Sequence, residues 1–182
     1  MQKYLIFGAT GSVGSNLAKQ LSHANKEIHL IGRNDVELEK LSSELGCDYT
    51  VLDILSDDIN ENLKDKFENI DLAGIAYCIG SIDLKPLWKA NKEDFLKCLQ
   101  LNFFPIVEVI KTFQENLKKN KGSIVLFSTV AVQKGFTNHS IIASVKGAIE
   151  GLTVSLAAEF APNIKVNCIA PSLTNSKIAE PI

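Results

Sequence analysis

The chain has 182 residues, which suits one domain with a sizeable core. It is 46% hydrophobic and 22% charged with a formal net charge of −2, so no basic field argues for a nucleic-acid partner. No apolar run approaches the roughly 18 residues of a membrane span, the opening M-Q-K-Y-L-I-F-G lacks the form of a signal peptide, and Cys47, Cys78, Cys98 and Cys168 fall at neither C-x-x-C nor metal-ligand spacing; the expectation is a cytoplasmic protein with reduced thiols and no metal.

The first strand is expected over 3–7 (K-Y-L-I-F), followed by F-G-A-T-G-S-V-G and an amphipathic helix over 12–24. Gly8, Gly11 and Gly14 stand at G-x-x-G-x-x-G spacing, directly after a strand and opening a helix. Each glycine has a physical task there: Gly8 permits the tight exit, Gly11 lets backbone approach a pyrophosphate, and Gly14 lets helix and strand pack closely. The helix N-terminus then offers unpaired N–H groups and partial positive charge to phosphates. The candidate cofactor-binding set in this turn is Gly8, Thr10, Gly11, Ser12, Val13 and Gly14; the alternative is a tight turn without a ligand.

The second strand, 27–31, runs into L-I-G-R-N. An acid commonly stands here in binders of NAD, accepting hydrogen bonds from the adenosine ribose. This chain has Gly32 and Arg33, and a guanidinium suits the 2′-phosphate of NADP by charge and bidentate geometry. The bland alternative is a surface arginine in a loop. A helix over 34–45 and a strand over 48–52 follow, and Asp53 is placed either to touch the adenine or to cap the next helix, two compatible roles. A helix over 57–67 and a strand over 72–77 come next.

The helix over 91–119 has Asn91 as a cap, Glu93 and Asp94 in its first turn, and Lys118 and Lys119 in its last. Leu99, Phe103, Ile106, Ile110, Phe113 and Leu117 form its core stripe. Phe104 and Val107 widen the apolar surface enough for a second packing partner. Pro105 removes a hydrogen bond and crowds the carbonyl of Leu101, so the helix is either bent beside Asn102, with backbone oxygens freed, or merely tolerates the proline. A strand over 123–128, a helix over 139–160 and a strand over 165–169 complete the order. Strict alternation of strand and helix predicts one α/β domain with a doubly wound, mostly parallel sheet of about six strands. Most strands are apolar on both faces, as burial between two helix layers requires.

F-G-A-T-G-S-V-G, L-I-G-R-N, L-N-F-F-P, G-S-I-V-L-F-S-T, S-V-K-G-A-I-E-G-L and K-V-N-C-I-A-P-S-L-T together resemble the short-chain dehydrogenase/reductase family, over nearly the whole chain. The resemblance implies a single NAD(P)-binding Rossmann domain over 1–182. It also implies hydride transfer between a nicotinamide and a small-molecule alcohol or carbonyl, and a homodimer or homotetramer built through helices 91–119 and 139–160. Of the family's catalytic Asn, Ser, Tyr and Lys, it places the asparagine at Asn102, a hydroxyl at Thr129 and the lysine at Lys146. Gly80 and Pro171 match the cofactor-side motifs.

The chain departs from the pattern in four places. Ser12 stands where the commonest branch has glycine. Y-C-I-G (Tyr77–Gly80) replaces N-N-A-G. Ser172 follows Pro171 in place of glycine. Ile142 occupies the tyrosine position, four residues before Lys146, and an isoleucine can neither donate nor accept a proton. Ser140 and His139 are expected on other helix faces, and the reach of Tyr77, on another strand, is open. The family's usual substrate-covering segment, about 60 residues more, is expected to be lacking, with the sixth strand left as an edge. Three readings therefore stand: an NADP-dependent oxidoreductase, a cofactor-binding module without chemistry, and a structural subunit.

Overall fold

The computed structural model describes residues 2–56, 59–67, 69–176 and 179. Six parallel strands, β1 (Lys3–Phe7), β2 (Glu27–Gly32), β3 (Asp48–Val51), β4 (Leu72–Tyr77), β5 (Ser123–Phe127) and β6 (Lys165–Ile169), lie in the order β3-β2-β1-β4-β5-β6. The order reverses between β1 and β4. Such a switch point opens a crevice at the carboxyl ends of the strands, where α/β sheets take their ligands.

Alternate residues of β1 supply two separate cores. Leu5 and Phe7 pack with residues of α3 (Ile59–Phe67), α5 (Phe104–Lys119) and α7 (Ser140–Phe160). Ile6 packs on the other face with Ala18 of α1 (Ser12–His23) and with Leu38 and Leu41 of α2 (Asp35–Leu45). β1, β2 and β4 are thus covered on both sides, as their apolar sequences require. β6 differs: Val166 joins the first core, while Lys165, Asn167 and Ile169 on the opposite side are exposed. Among the described residues the two edges are β3 and β6. The expected helix start at 57 and 58 and the last residues, 180–182, lie outside the described residues.

The segment expected as one helix over 91–119 is two. α4 (Lys92–Asn102) begins with a reciprocal capping box between Asn91 and Asp94. It ends where Phe103 adopts φ −121° and ψ −60°, and α5 starts with Pro105 in its first turn, where a missing N–H costs nothing. The Leu101 carbonyl, which loses its helical donor to Pro105, accepts from Tyr77 Oη at 3.4 Å. The Ile106 amide, which a continuous helix would give to Asn102, goes to Phe103 O at 3.0 Å. The expected disturbance beside Asn102 is therefore a break and not a bend: the Asn102 carbonyl loses its helical donor, while that of Leu101 is taken up by Tyr77. Two short elements had no periodic signal: a 3₁₀ turn at Leu87–Lys89 and α6 (Ala131–Lys134).

α7 corrects the reading of hydropathy. Within its 21 residues an 18-residue window reaches a mean hydropathy of 1.5, long and apolar enough by composition to cross a membrane, although only a third of that window is buried. Ala, Gly, Ser and Thr dilute the sequence signal without making it polar. Ile141, Ile142, Val145 and Ile149 fill the inner face together with Lys146, and the helix packs on β5, β6 and α4, as a helix covering one face of a doubly wound sheet does.

Candidate functional site

The three glycines of the first turn meet three different surroundings. Gly8 sits at φ +75°, left-handed backbone that favours glycine. A Cβ there would also lie 2.9 Å from Ile79 Cγ1. A Cβ on Gly14 would come within 2.3 Å of Gly8 O and 2.9 Å of Ala9 Cα, so the close crossing of α1 over β1 depends on its absence. Among the described residues a Cβ on Gly11 would meet only Gly8 O, at 3.3 Å. Gly11 is the N-cap of α1, extended at φ −72° and ψ 163°. No side chain caps this helix and no acid stands in its first turn. Its N-terminal amides face an open approach, which is the fit a pyrophosphate needs. Thr10 and Ser12 flank the approach and Val13 lines the adjoining cavity.

Arg33 is exposed directly after β2. The neighbouring α2 is capped by Asn34, which accepts from Glu37 N, so Arg33 has no capping duty there. Asp53 is exposed too, but its Oδ1 accepts from Leu55 N at 3.0 Å and its carbonyl from Ser56 N at 3.1 Å. Its observed work is to close a turn before α3; it is not the first cap of that helix.

The second half of the site forms where β4, β5 and β6 end. A cavity of about 360 Å3 is lined by Val13, Gly80, Thr129, Ile142, Lys146 and Pro171, with Ile82, Val130, Phe136 and Leu173 making its wall largely apolar. The loop after β6 is fastened to the loop after β5 by Ser128 N to Ile169 O (2.8 Å) and Val130 N to Pro171 O (3.0 Å).

Lys146 is 8% exposed, and its Nζ donates to Phe127 O at 2.9 Å. Burial lowers its pKa to about 8. Ser128 Oγ fixes α7 to this strand end by donating to Glu150 at 2.5 Å. Thr129 Oγ1 accepts from Ala131 N at 3.3 Å, leaving the hydroxyl proton to donate into the cavity.

Asn102 is fully buried and lies behind Gly80: a Cβ on Gly80 would be 3.1 Å from Asn102 Oδ1 and 3.4 Å from Lys146 Nζ. Its side chain accepts from Ser81 N (3.2 Å) and donates to Ser81 Oγ (3.1 Å) and to Cys98 O (3.0 Å). It therefore shapes the loop after β4, while its backbone forms the break described above. Tyr77 is 2% exposed, stacked on Phe7, and burial pushes its phenol upward; it does not line the cavity.

Ile142, where the resemblance puts the family's tyrosine, is buried against Cys98, Ile141 and Val145 and also forms cavity wall. His139 lines the same cavity, contrary to the expectation that it faces elsewhere. It is the N-cap of α7, and Ala143 N already bonds its carbonyl at 2.8 Å, so it shares the helical phase. The signal was in the sequence: His139, Ile142 and Lys146 follow three-then-four spacing, one face of a helix. Ser140, by contrast, has its hydroxyl buried and does not line this cavity.

A parallel sheet with a glycine turn at its switch point and a buried lysine over the neighbouring strand ends defines the dinucleotide-binding Rossmann class. The chain belongs to the short-chain dehydrogenase/reductase family, whose members are oxidoreductases using NAD(P): a family model described as "Enoyl-(Acyl carrier protein) reductase" matches residues 8–182. L-xylulose reductase of Bos taurus is 26% identical over 187 residues, covering 98% of this chain and 74% of that protein. Dehydrogenase/reductase SDR family member 6 of Aquarana catesbeiana is 28% identical, covering 96% of this chain and 72% of its own. A short-chain dehydrogenase of Shigella flexneri solved with NADP superposes with TM-score 0.91 at 24% identity, covering 99% of this chain and 82% of that one.

Proposed function

We propose that this protein binds NADP(H) and interconverts a carbonyl and an alcohol on a small, largely apolar molecule, with Ile142 in place of the family's tyrosine. The observation that carries this reading is the buried Lys146 ammonium in the same cavity as the Thr129 hydroxyl, beside the open N-terminus of α1. In it, Gly8, Gly11 and Gly14 shape the cradle for the pyrophosphate, with Thr10, Ser12 and Val13 beside it. Arg33 meets the 2′-phosphate, Asp53 borders the adenine, and Gly80 and Pro171 border the nicotinamide end. When bound, the cofactor supplies or accepts hydride. Lys146 donates to its ribose, Thr129 donates to the substrate oxygen, and Asn102 holds the loop that carries Gly80.

A fluorescence titration with NADPH followed by a panel of ketones tests the reading; no binding, or binding without turnover of any carbonyl by wild type or by a tyrosine-restored variant, sinks it. The presence of Ile142 in the cavity favours, as a second reading, a cofactor-binding module without chemistry. We further assign a cytoplasmic location and a homodimer or homotetramer through the α4–α5 segment and α7, whose surfaces expose Phe104 and Val154.

Two results follow from the assigned roles. NADPH should bind at least about tenfold tighter than NADH, and Arg33→Ala should abolish that preference, because a charge-assisted contact to the 2′-phosphate contributes on this scale. Equal affinities in the wild type would refute the assignment. Lys146 is cationic below about pH 8 and neutral above it. Its contribution to NADPH affinity should therefore be present at pH 7 and decline severalfold by pH 9.5, whereas Lys146→Met should bind more weakly with little dependence on pH over that range.

A further inference from the structure

One proton-carrying side chain of the cavity has no counterpart in the family pattern. We propose that His139 is the general acid–base of this site, giving to the substrate oxygen the proton that Ile142 cannot; this rests on the carbonyl–alcohol reading above.

The geometry begins with phase. His139, Ile142 and Lys146 lie along one face of the α7 start, and all three line the cavity together with Thr129. A group one turn before Ile142 on that face projects toward the same space as the missing phenol. The ring is also oriented. His139 Nδ1 lies 2.8 Å from Thr137 O. A carbonyl can only accept, so Nδ1 carries a hydrogen, and Nε2 is left as the exchanging atom. The ring packs edge-on against Phe136, itself cavity wall, with centroids 5.4 Å apart. This hold on one nitrogen by a backbone oxygen is how an imidazole is made to present the other.

The competitors are few. Cys78 lines the cavity, but burial pushes its thiol up to about 12. The titratable groups facing His139 across the cavity are Lys146 and Cys78. On its other side, Asn138 O accepts from Lys85 N, and the Lys85 ammonium is taken up by Asp94 at 2.6 Å. No carboxylate of the described residues lines the cavity.

In the reductive direction the carbonyl carbon gains hydride from the reduced nicotinamide dinucleotide, which departs oxidised. The carbon–oxygen π bond opens, the imidazolium Nε2–H bond breaks, and an O–H bond forms at the substrate oxygen. Neutral imidazole then regains its proton from solvent, which reaches the ring because His139 is only half-buried. The reverse direction uses the neutral Nε2 as base.

The test uses NADPH with a panel of cyclic, aromatic and 1,2-diketones. Four proteins are compared: wild type, His139→Gln, Ile142→Tyr and the double variant. Wild-type kcat/KM for reduction should fall with rising pH, because the proton donor is the protonated ring. His139→Gln should lower it by roughly 10²–10⁴, leave NADPH affinity unchanged and flatten the profile. The double variant should recover turnover. In the cofactor-free protein above pH 8, long-range 1H–15N spectra should show His139 as the Nδ1–H tautomer. An Nε2–H tautomer, or unchanged rate and pH profile in His139→Gln, overturns the proposal. A break near pH 8 that survives His139→Gln moves the proton to Lys146 and also overturns it. Turnover by Ile142→Tyr with none by wild type overturns the role of His139 alone, whereas failure of wild type to bind NADPH removes the cofactor reading with it.

Discussion

Gly11→Val should weaken NADPH binding at least about a hundredfold while leaving the melting temperature within a few degrees of wild type. Gly14→Ala should do the reverse, lowering the melting temperature by on the order of 5–10 °C as overpacked backbone is forced apart. The contrast follows from what each missing Cβ would touch. At Gly11 the backbone is extended, a conformation valine adopts without strain, and the only close atom among the described residues is Gly8 O at 3.3 Å. The added methyls would stand over the α1 amides, in the space a pyrophosphate needs. At Gly14 even one methyl would sit 2.3 Å from Gly8 O, with Ala9 Cα behind it. Backbone on both sides has no rotamer by which to retreat. Fluorescence titration and thermal unfolding on both variants separate the two roles. Normal NADPH affinity in Gly11→Val would move the cofactor away from this turn, and an unchanged melting temperature in Gly14→Ala would contradict the close helix–strand crossing.

This turn was legible in the sequence because its logic is local: three glycines, a strand before them and a helix after. The strand–helix alternation was legible for the same reason, and all six strands lie within a residue of where their apolar runs placed them. What failed to show was set by contacts between distant residues. Pro105 announced a disturbance, but a break at Phe103 depends on Tyr77, 24 residues before Leu101 in the chain, supplying a hydrogen bond to the orphaned carbonyl. Asn102 was recognisable as a site residue, yet its grip on Ser81, 21 residues away, sets the path of the loop after β4 and has no sequence signature. Asp53 carries a local role that spacing alone does not reveal, its Oδ1 closing its own turn through Leu55 N. His139 was within reach of spacing alone. The expected helix over 139–160 already included it, and a separation of three residues from Ile142 puts the two on one face.

Ile142→Tyr should raise carbonyl reduction by roughly 10²-fold or more over wild type at pH 8, and Ile142→Phe should not. The phenol would stand one turn before Lys146 on the face that lines the cavity. Inward, Ile142 is packed against Cys98, Ile141 and Val145 and is 3% exposed, so a larger ring has no room to turn toward the core. It must point into the open space of about 360 Å3. There the Lys146 ammonium favours the ionised phenol, bringing its pKa down toward the working range. Two proton carriers would then serve the cavity, the imidazole of His139 and the added phenol. Phenylalanine has the same bulk and no proton, so a gain shared by both variants would mean that Ile142 limits shape and not chemistry. A tyrosine variant that folds and binds NADPH as the wild type does, yet gains nothing at pH 8 on any ketone of the panel, would show that the substrate oxygen does not lie between Thr129 and this helix face, and the site would have to be redrawn from Lys146 outward.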